Sequence, residues 1–132
     1  LLDPHSLRFV VFGGLCKGLL ALAILGLALP GWTDTATART AMFQFLAIGQ
    51  LFYVYPSRHT SVTPLPNRAI HAAVALGVAL QLIIGMTPGP ARLLGLVSLD
   101  ATLWAVVFAS SMLSWGLAES LNRLLWRDRI AV

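Results

Sequence analysis

Charge is what this sequence has least of. Only 11% of its 132 residues are Asp, Glu, Lys or Arg, against roughly 25% in a soluble globular domain. Hydrophobic residues make up 58% of the chain, and the mean hydropathy is +0.81. A soluble helical bundle built from this composition would have almost no polar shell. There is one cysteine, Cys16. It cannot form an internal disulfide, no metal-ligand cluster surrounds it, and an inert, buried thiol is expected. The five acidic residues include no paired carboxylates, and neither a phosphate-binding glycine loop nor a Ser/His/Asp set is present. The chain on its own is therefore expected to be no enzyme. Alternation of polar and apolar residues, which a transmembrane barrel requires, is missing too. The nine basic residues form no patch interleaved with aromatics, so nucleic acid is not an expected partner. Leu1 follows no initiator Met, and no signal-peptide pattern opens the chain. The chain reads as part of a longer reading frame.

What is present is a set of four long apolar runs, about residues 9–29, 40–55, 69–87 and 101–118. Each ends in turn residues or charge. A spanning helix takes about 20 residues, and backbone groups in hydrocarbon must be paired within the segment. The expectation is an all-α, integral membrane bundle of four transmembrane helices, forming a single module over residues 1–132. Asp100 directly precedes the last run and is placed to cap it. Orientation follows from the arginines. Arg8, Arg58, Arg68, Arg123, Arg127 and Arg129 fall on one side, and Arg39 and Arg92 on the other, a split of six to two. Lysine and arginine accumulate on the cytoplasmic side, so both termini are expected there. Trp32 and Trp126 would sit at the outer and inner interfaces.

Polar and small residues inside the runs are the candidate functional positions. In the first run, Gly14 and Gly18 form a G-x-x-x-G pair that Ala21 extends. Such strips let helix backbones approach closely in lipid. The partner is open: span three, with Ala73 and Gly77, or a helix outside the chain. Lys17 lies about 12 Å into the span at about 1.5 Å per residue, placed to snorkel, to form a structural pair with Glu119 as a conceivable partner, or to mark function. In the second run, "ARTAMFQFLAIGQLFYVYPSR", Gln44 and Gln50 interrupt an otherwise uncharged stretch. An unpaired amide in hydrocarbon costs several kcal/mol, so Gln50 must face protein, water or an ion. Its carbonyl oxygen suits a hard cation. It suits an interhelical hydrogen bond equally. Tyr53, nearly one turn on, is placed to share that face or to act as an interface aromatic. Gln81 reads as a helix–helix hydrogen bond, and His71 as an interfacial residue.

At this point the residues resemble a family, the P-type cation-transporting ATPases, especially their calcium-pump branch. "GGLCKGLLALAILG" resembles the seventh transmembrane helix, "ARTAMFQFLAIGQLFYVY" the eighth and "NRAIHAAVALGVALQLIIGMTPG" the ninth. "PARLLGLVSLDATLWAVVFASSMLSWGLAESLNRLLWR" resembles the link into the tenth helix, that helix and its basic tail. The likeness runs from about Asp3 to Arg127. The resemblance implies that Gln50 stands where calcium pumps place a Gln or Glu that contributes to ion binding, and that Gly18 faces the fifth helix. It also implies a parent using ATP, Mg2+ and a transported cation, Ca2+ or another, although no cofactor is expected for this chain. The family's DKTG phosphorylation sequence is absent here, as are its nucleotide-binding and actuator domains. The expected partners are the lipid bilayer and the remaining helices and cytoplasmic domains of the parent. The expected location is a bacterial plasma membrane, with the chain crossing several times. The function expected is therefore the C-terminal membrane domain of a cation pump, supporting and partly lining the ion pathway. The alternative is an independent small four-helix membrane protein, a carrier subunit or an assembly factor.

Overall fold

A computed structural model describes residues 4–28, 34–57 and 68–130. All the regular elements in these segments are helices: α1 Pro4–Ala28, α2 Thr35–Phe52, α3 Val54–Ser57, α4 Arg68–Met86, α5 Pro88–Leu93 and α6 Ala101–Ile130. Trp32 and Arg58 lie outside the described residues, as do the side chains of Trp126, Arg127 and Arg129.

The helix ends follow local chemistry. Asp34 is extended at φ −74°, ψ 165°, and its Oδ1 accepts from the Thr37 amide at 2.9 Å, which satisfies one of the free N–H groups that open α2. Asp100 does the same for α6, accepting from the Leu103 amide at 2.7 Å. α2 ends at Phe52, four residues before Pro56, because the proline ring crowds the carbonyl four positions back. The single turn α3 follows. Between α4 and α6 the chain makes the short helix α5 and turns at Gly95, whose φ of 66° suits a residue without a Cβ. The next stretch is tied back onto α2, where the Val97 amide donates to Thr40 Oγ1 at 3.1 Å.

α2 is the hub. It touches α1, α4 and α6, and α1 also touches α6. Three sets of contacts show that α1 and α4 run antiparallel to it and that α6 runs parallel to it, with Trp104 near Gln44 and Asn122 near Pro56. Gly13 and Lys17 of α1 meet Tyr53 and Gly49 in descending order, and Gly77 and Gly85 of α4 meet Leu51 and Gln44. At the far end of α6, Asn122 Nδ2 donates to the Pro56 carbonyl at 3.1 Å. The apolar core consists of Ala21 and Ile24 from α1, Ala41, Phe45 and Ile48 from α2, and Val107 from α6.

Among the described residues, three helices are long and apolar enough to cross a membrane: Leu7–Ile24, Arg68–Met86 and Ala101–Leu124. The sequence led us to expect four. The helix that falls short is α2, whose 18 residues include Arg39, Gln44, Gln50 and three threonines. Its position explains the composition. Ala38, Thr40, Ala41, Gln44, Phe45, Ile48 and Gly49 are all buried, so much of α2 meets protein and does not need an apolar exterior. The outer helices show the reverse pattern. Leu15, Leu19 and Leu22 of α1 and Leu76 and Ile83 of α4 are exposed, as lipid or other helices would require.

Candidate functional site: a lysine seated on a carboxamide

The inward row of α1 is Gly13, Lys17, Ala21 and Ile24, all buried. Steps of four, four and three keep these positions on one helix face. Gly14 and Gly18 belong to the neighbouring, exposed strip, and a Cβ at either would meet nothing within 4 Å. Of the three small residues singled out in the sequence, Ala21 therefore packs within this chain, and the two glycines look away from it. Gly77, the span-three position considered as their partner, instead receives Leu51 of α2.

Lys17 is 9% exposed, and its Nζ donates to Gln50 Oε1 at 2.7 Å, the short distance typical of a charged donor. Its stem runs across Gly49, where an added Cβ would lie 3.3 Å from Lys17 Cε. The ammonium also sits 5.8 Å from the centroid of the Tyr53 ring, within cation–π range. Phe9 stacks on Tyr53, its ring centroid 5.5 Å from that of the tyrosine. The Tyr53 hydroxyl covers Gly13, where a Cβ would collide with it. The Tyr53 hydroxyl oxygen is buried and has no hydrogen-bond partner among the described residues. Gln50 itself is exposed.

The structure thus brings Gln50 and Tyr53 together around a third group, Lys17. The conceivable partner for Lys17, Glu119, is instead engaged by Arg123, with Nε 3.0 Å from Oε1. Sequence reading had Lys17 and Gln50 as separate questions. One signal could have joined them: Lys17 lies eight residues after Phe9 and Gln50 five before Tyr55, so both are at similar depth from the same end of antiparallel helices.

Two other polar groups sit deeper. Gln44 is 0% exposed, and neither its Oε1 nor its Nε2 has a hydrogen-bond partner among the described residues. Gly85 leaves room for it, since a Cβ there would lie 3.0 Å from Gln44 Nε2 and 2.8 Å from Trp104 Cζ2. Gln81, expected to bond between helices, has a buried Oε1 with no partner among the described residues. His71 is exposed and stacks on Tyr55, with its Nδ1 3.0 Å from the tyrosine hydroxyl. Among the described residues, no cluster of His, Cys, Asp and Glu could hold a metal ion. The chemistry on offer is therefore that of neutral oxygens and aromatic faces, with a resident ammonium.

Apolar helices packed around a hub that carries carboxamides, with a lysine held at depth, fit a membrane-embedded helical domain. The comparison with protein families is specific: the model described as "Cation transporting ATPase, C-terminus" matches residues 1–124. The chain belongs to that family. No curated protein and no solved structure shows a match.

Proposed function

We propose that this chain is the four-span C-terminal membrane module of an ATP-driven cation pump of the calcium-pump-like branch. α2 is its fourth membrane crossing, kept in the membrane by the helices around it, and both termini lie in the cytoplasm. The module supports the ion pathway and partly lines it, with Gln50 facing the pathway and Tyr53 beside it. Gly14 and Gly18 pack against helices that precede this module in the pump. ATP and Mg2+ act on the cytoplasmic domains of the parent, which supply the phosphorylation chemistry.

The observation that carries the reading is the Gln50 carboxamide oxygen. It lies on an exposed edge of α2 and already accepts from a positively charged group at 2.7 Å. Family membership over residues 1–124 supports the rest. The test is Gln50→Leu in the full-length pump, read as the cation concentration for half-maximal phosphorylation. A loss of about tenfold is expected, equivalent to ~1.4 kcal/mol, because the substitution removes an oxygen that holds positive charge at the edge of the pathway. Unchanged cation affinity in a normally inserted protein would reduce Gln50 to a structural contact.

A further inference from the structure

We propose that Lys17 is a tethered cation of the Gln50 site. Its ammonium holds the carboxamide oxygen that a mobile cation would otherwise coordinate, and the pump accordingly binds one mobile cation fewer there. This rests on the reading that Gln50 faces the ion pathway.

Three features show that the seat is built for the ammonium. Gly49 clears the path of the stem, because any side chain at that position would press on Lys17 Cε. Gln50, the next residue, supplies the oxygen at 2.7 Å. Tyr53, one turn further on, presents its ring 5.8 Å from the charge and is backed by Phe9. A lysine that merely snorkelled would carry its charge to an interface. This one ends on a carboxamide, with 9% of its surface exposed.

Among the described residues no carboxylate pairs with this charge. The ion pair found among the described residues joins Arg123 to Glu119, and the groups that touch the Lys17 ammonium are a neutral carbonyl and a neutral ring. A hard cation bound to the same oxygen would sit about 2.3–2.6 Å from it, in direct repulsion with the ammonium. The two therefore compete for one oxygen. A lysine fixed by its own backbone is always present, so it wins unless it is removed.

The experiment uses the full-length pump and variants Lys17→Met, Lys17→Gln and Lys17→Arg. The probe is the radioactive form of whichever of calcium, manganese or sodium activates phosphorylation. Bound cation is counted per phosphorylatable site, and charge displaced per turnover is recorded on a solid-supported membrane. Lys17→Met and Lys17→Gln are expected to bind one further cation per site, and Gln50→Leu added to either is expected to abolish the gain. Lys17→Arg keeps the wild-type count. Identical counts in all variants would overturn the proposal. If the counts are identical but Gln50→Leu alone still weakens activation, the pathway role of Gln50 stands and only the tethered cation falls. If Gln50→Leu also changes nothing, both fall. Should Lys17→Met not fold, Lys17→Gln, which keeps a hydrogen-bond donor, carries the test. Failure of both neutral variants to fold while Lys17→Arg folds would make the charge a structural requirement and overturn the proposal.

Discussion

Replacing Gln44 by methionine is expected to stabilise the fold. Gln44 is wholly enclosed, at 0% exposure, and both polar atoms of its amide lack a partner among the described residues. Leaving a buried donor or acceptor unpaired costs about 1–3 kcal/mol. Methionine is nearly isosteric and unbranched at Cγ, so it can follow the same path between Gly85 and Trp104, which border the amide. Volume-conserving swaps in a packed core usually cost under ~1.5 kcal/mol, which sets the offset. The expected net gain is about 1 kcal/mol. Gln44→Leu, shorter and branched, should gain less. Gln44→Ala should lose stability, because it opens a cavity beside Gly85 and Trp104. The assay is unfolding in detergent micelles with increasing dodecyl sulfate, followed by circular dichroism. Destabilisation by Gln44→Met of more than ~1 kcal/mol would refute the reasoning, because it would mean that the amide is paired in the folded protein.

The remaining predictions test register, topology and a cap. Gly13→Ala should weaken α1–α2 docking by about 1 kcal/mol, since the new methyl meets the Tyr53 hydroxyl and overpacking carries that order of penalty. Gly14→Ala should be neutral or gain up to ~1 kcal/mol in helix propensity, because its Cβ meets nothing within 4 Å. Equal thermal shifts from the two variants would sink the register. A reporter fused after Val132 should read cytoplasmic, and a tag placed within residues 31–39 should be reachable from outside; an external C-terminus would contradict the proposed orientation. Hydrogen bonds from Thr37 hold the Asp34 carboxyl below the usual carboxylate range. A depressed folded pKa means that the cap's contribution is complete above the ordinary value of about 3.9 and is lost as pH falls through the lower folded one. The Thr37 amide resonance should report that transition, and a midpoint above ~3.9 would contradict it.

The all-helical class was legible because it rests on quantities that a sequence displays directly. Long apolar runs, too uniform for strands and too poorly charged for a soluble shell, leave little else. The Asp100 cap was legible for the same reason, since an acceptor immediately before an apolar run has one obvious use. α2 was legible as a helix but falls short of a span on hydropathy alone, because hydropathy measures what a segment would present to lipid. α2 buries much of its surface against other helices, so its polar residues count against it on a scale that does not apply to them. The last run has a similar lesson at its end. The apolar run ends near residue 118, and the helix α6 continues past it to Ile130. Loss of hydrophobicity marks the membrane surface and gives no instruction to end a helix.

The candidate site was legible as a list of residues but not as an arrangement. Gly14 and Gly18 stood out because two glycines four apart make a recognisable pattern, yet the face turned into this chain is one position earlier, at Gly13 and Lys17. A glycine strip specifies that something approaches closely without specifying which neighbour. Gln50 and Lys17 were each weighed against a generic alternative, a hydrogen bond for one and snorkelling for the other. Both alternatives treat a polar group as an isolated expense to be relieved wherever relief is nearest. Two such groups at one depth on adjacent antiparallel helices relieve each other. An ammonium three methylenes beyond its Cβ can reach a carboxamide across a helix seam only where a residue such as Gly49 leaves the seam open. That opening is invisible in the spacing of either helix alone. It appears once α1 and α2 are docked, and with it the question changes from which ion Gln50 binds to whether Lys17 leaves that oxygen free for one.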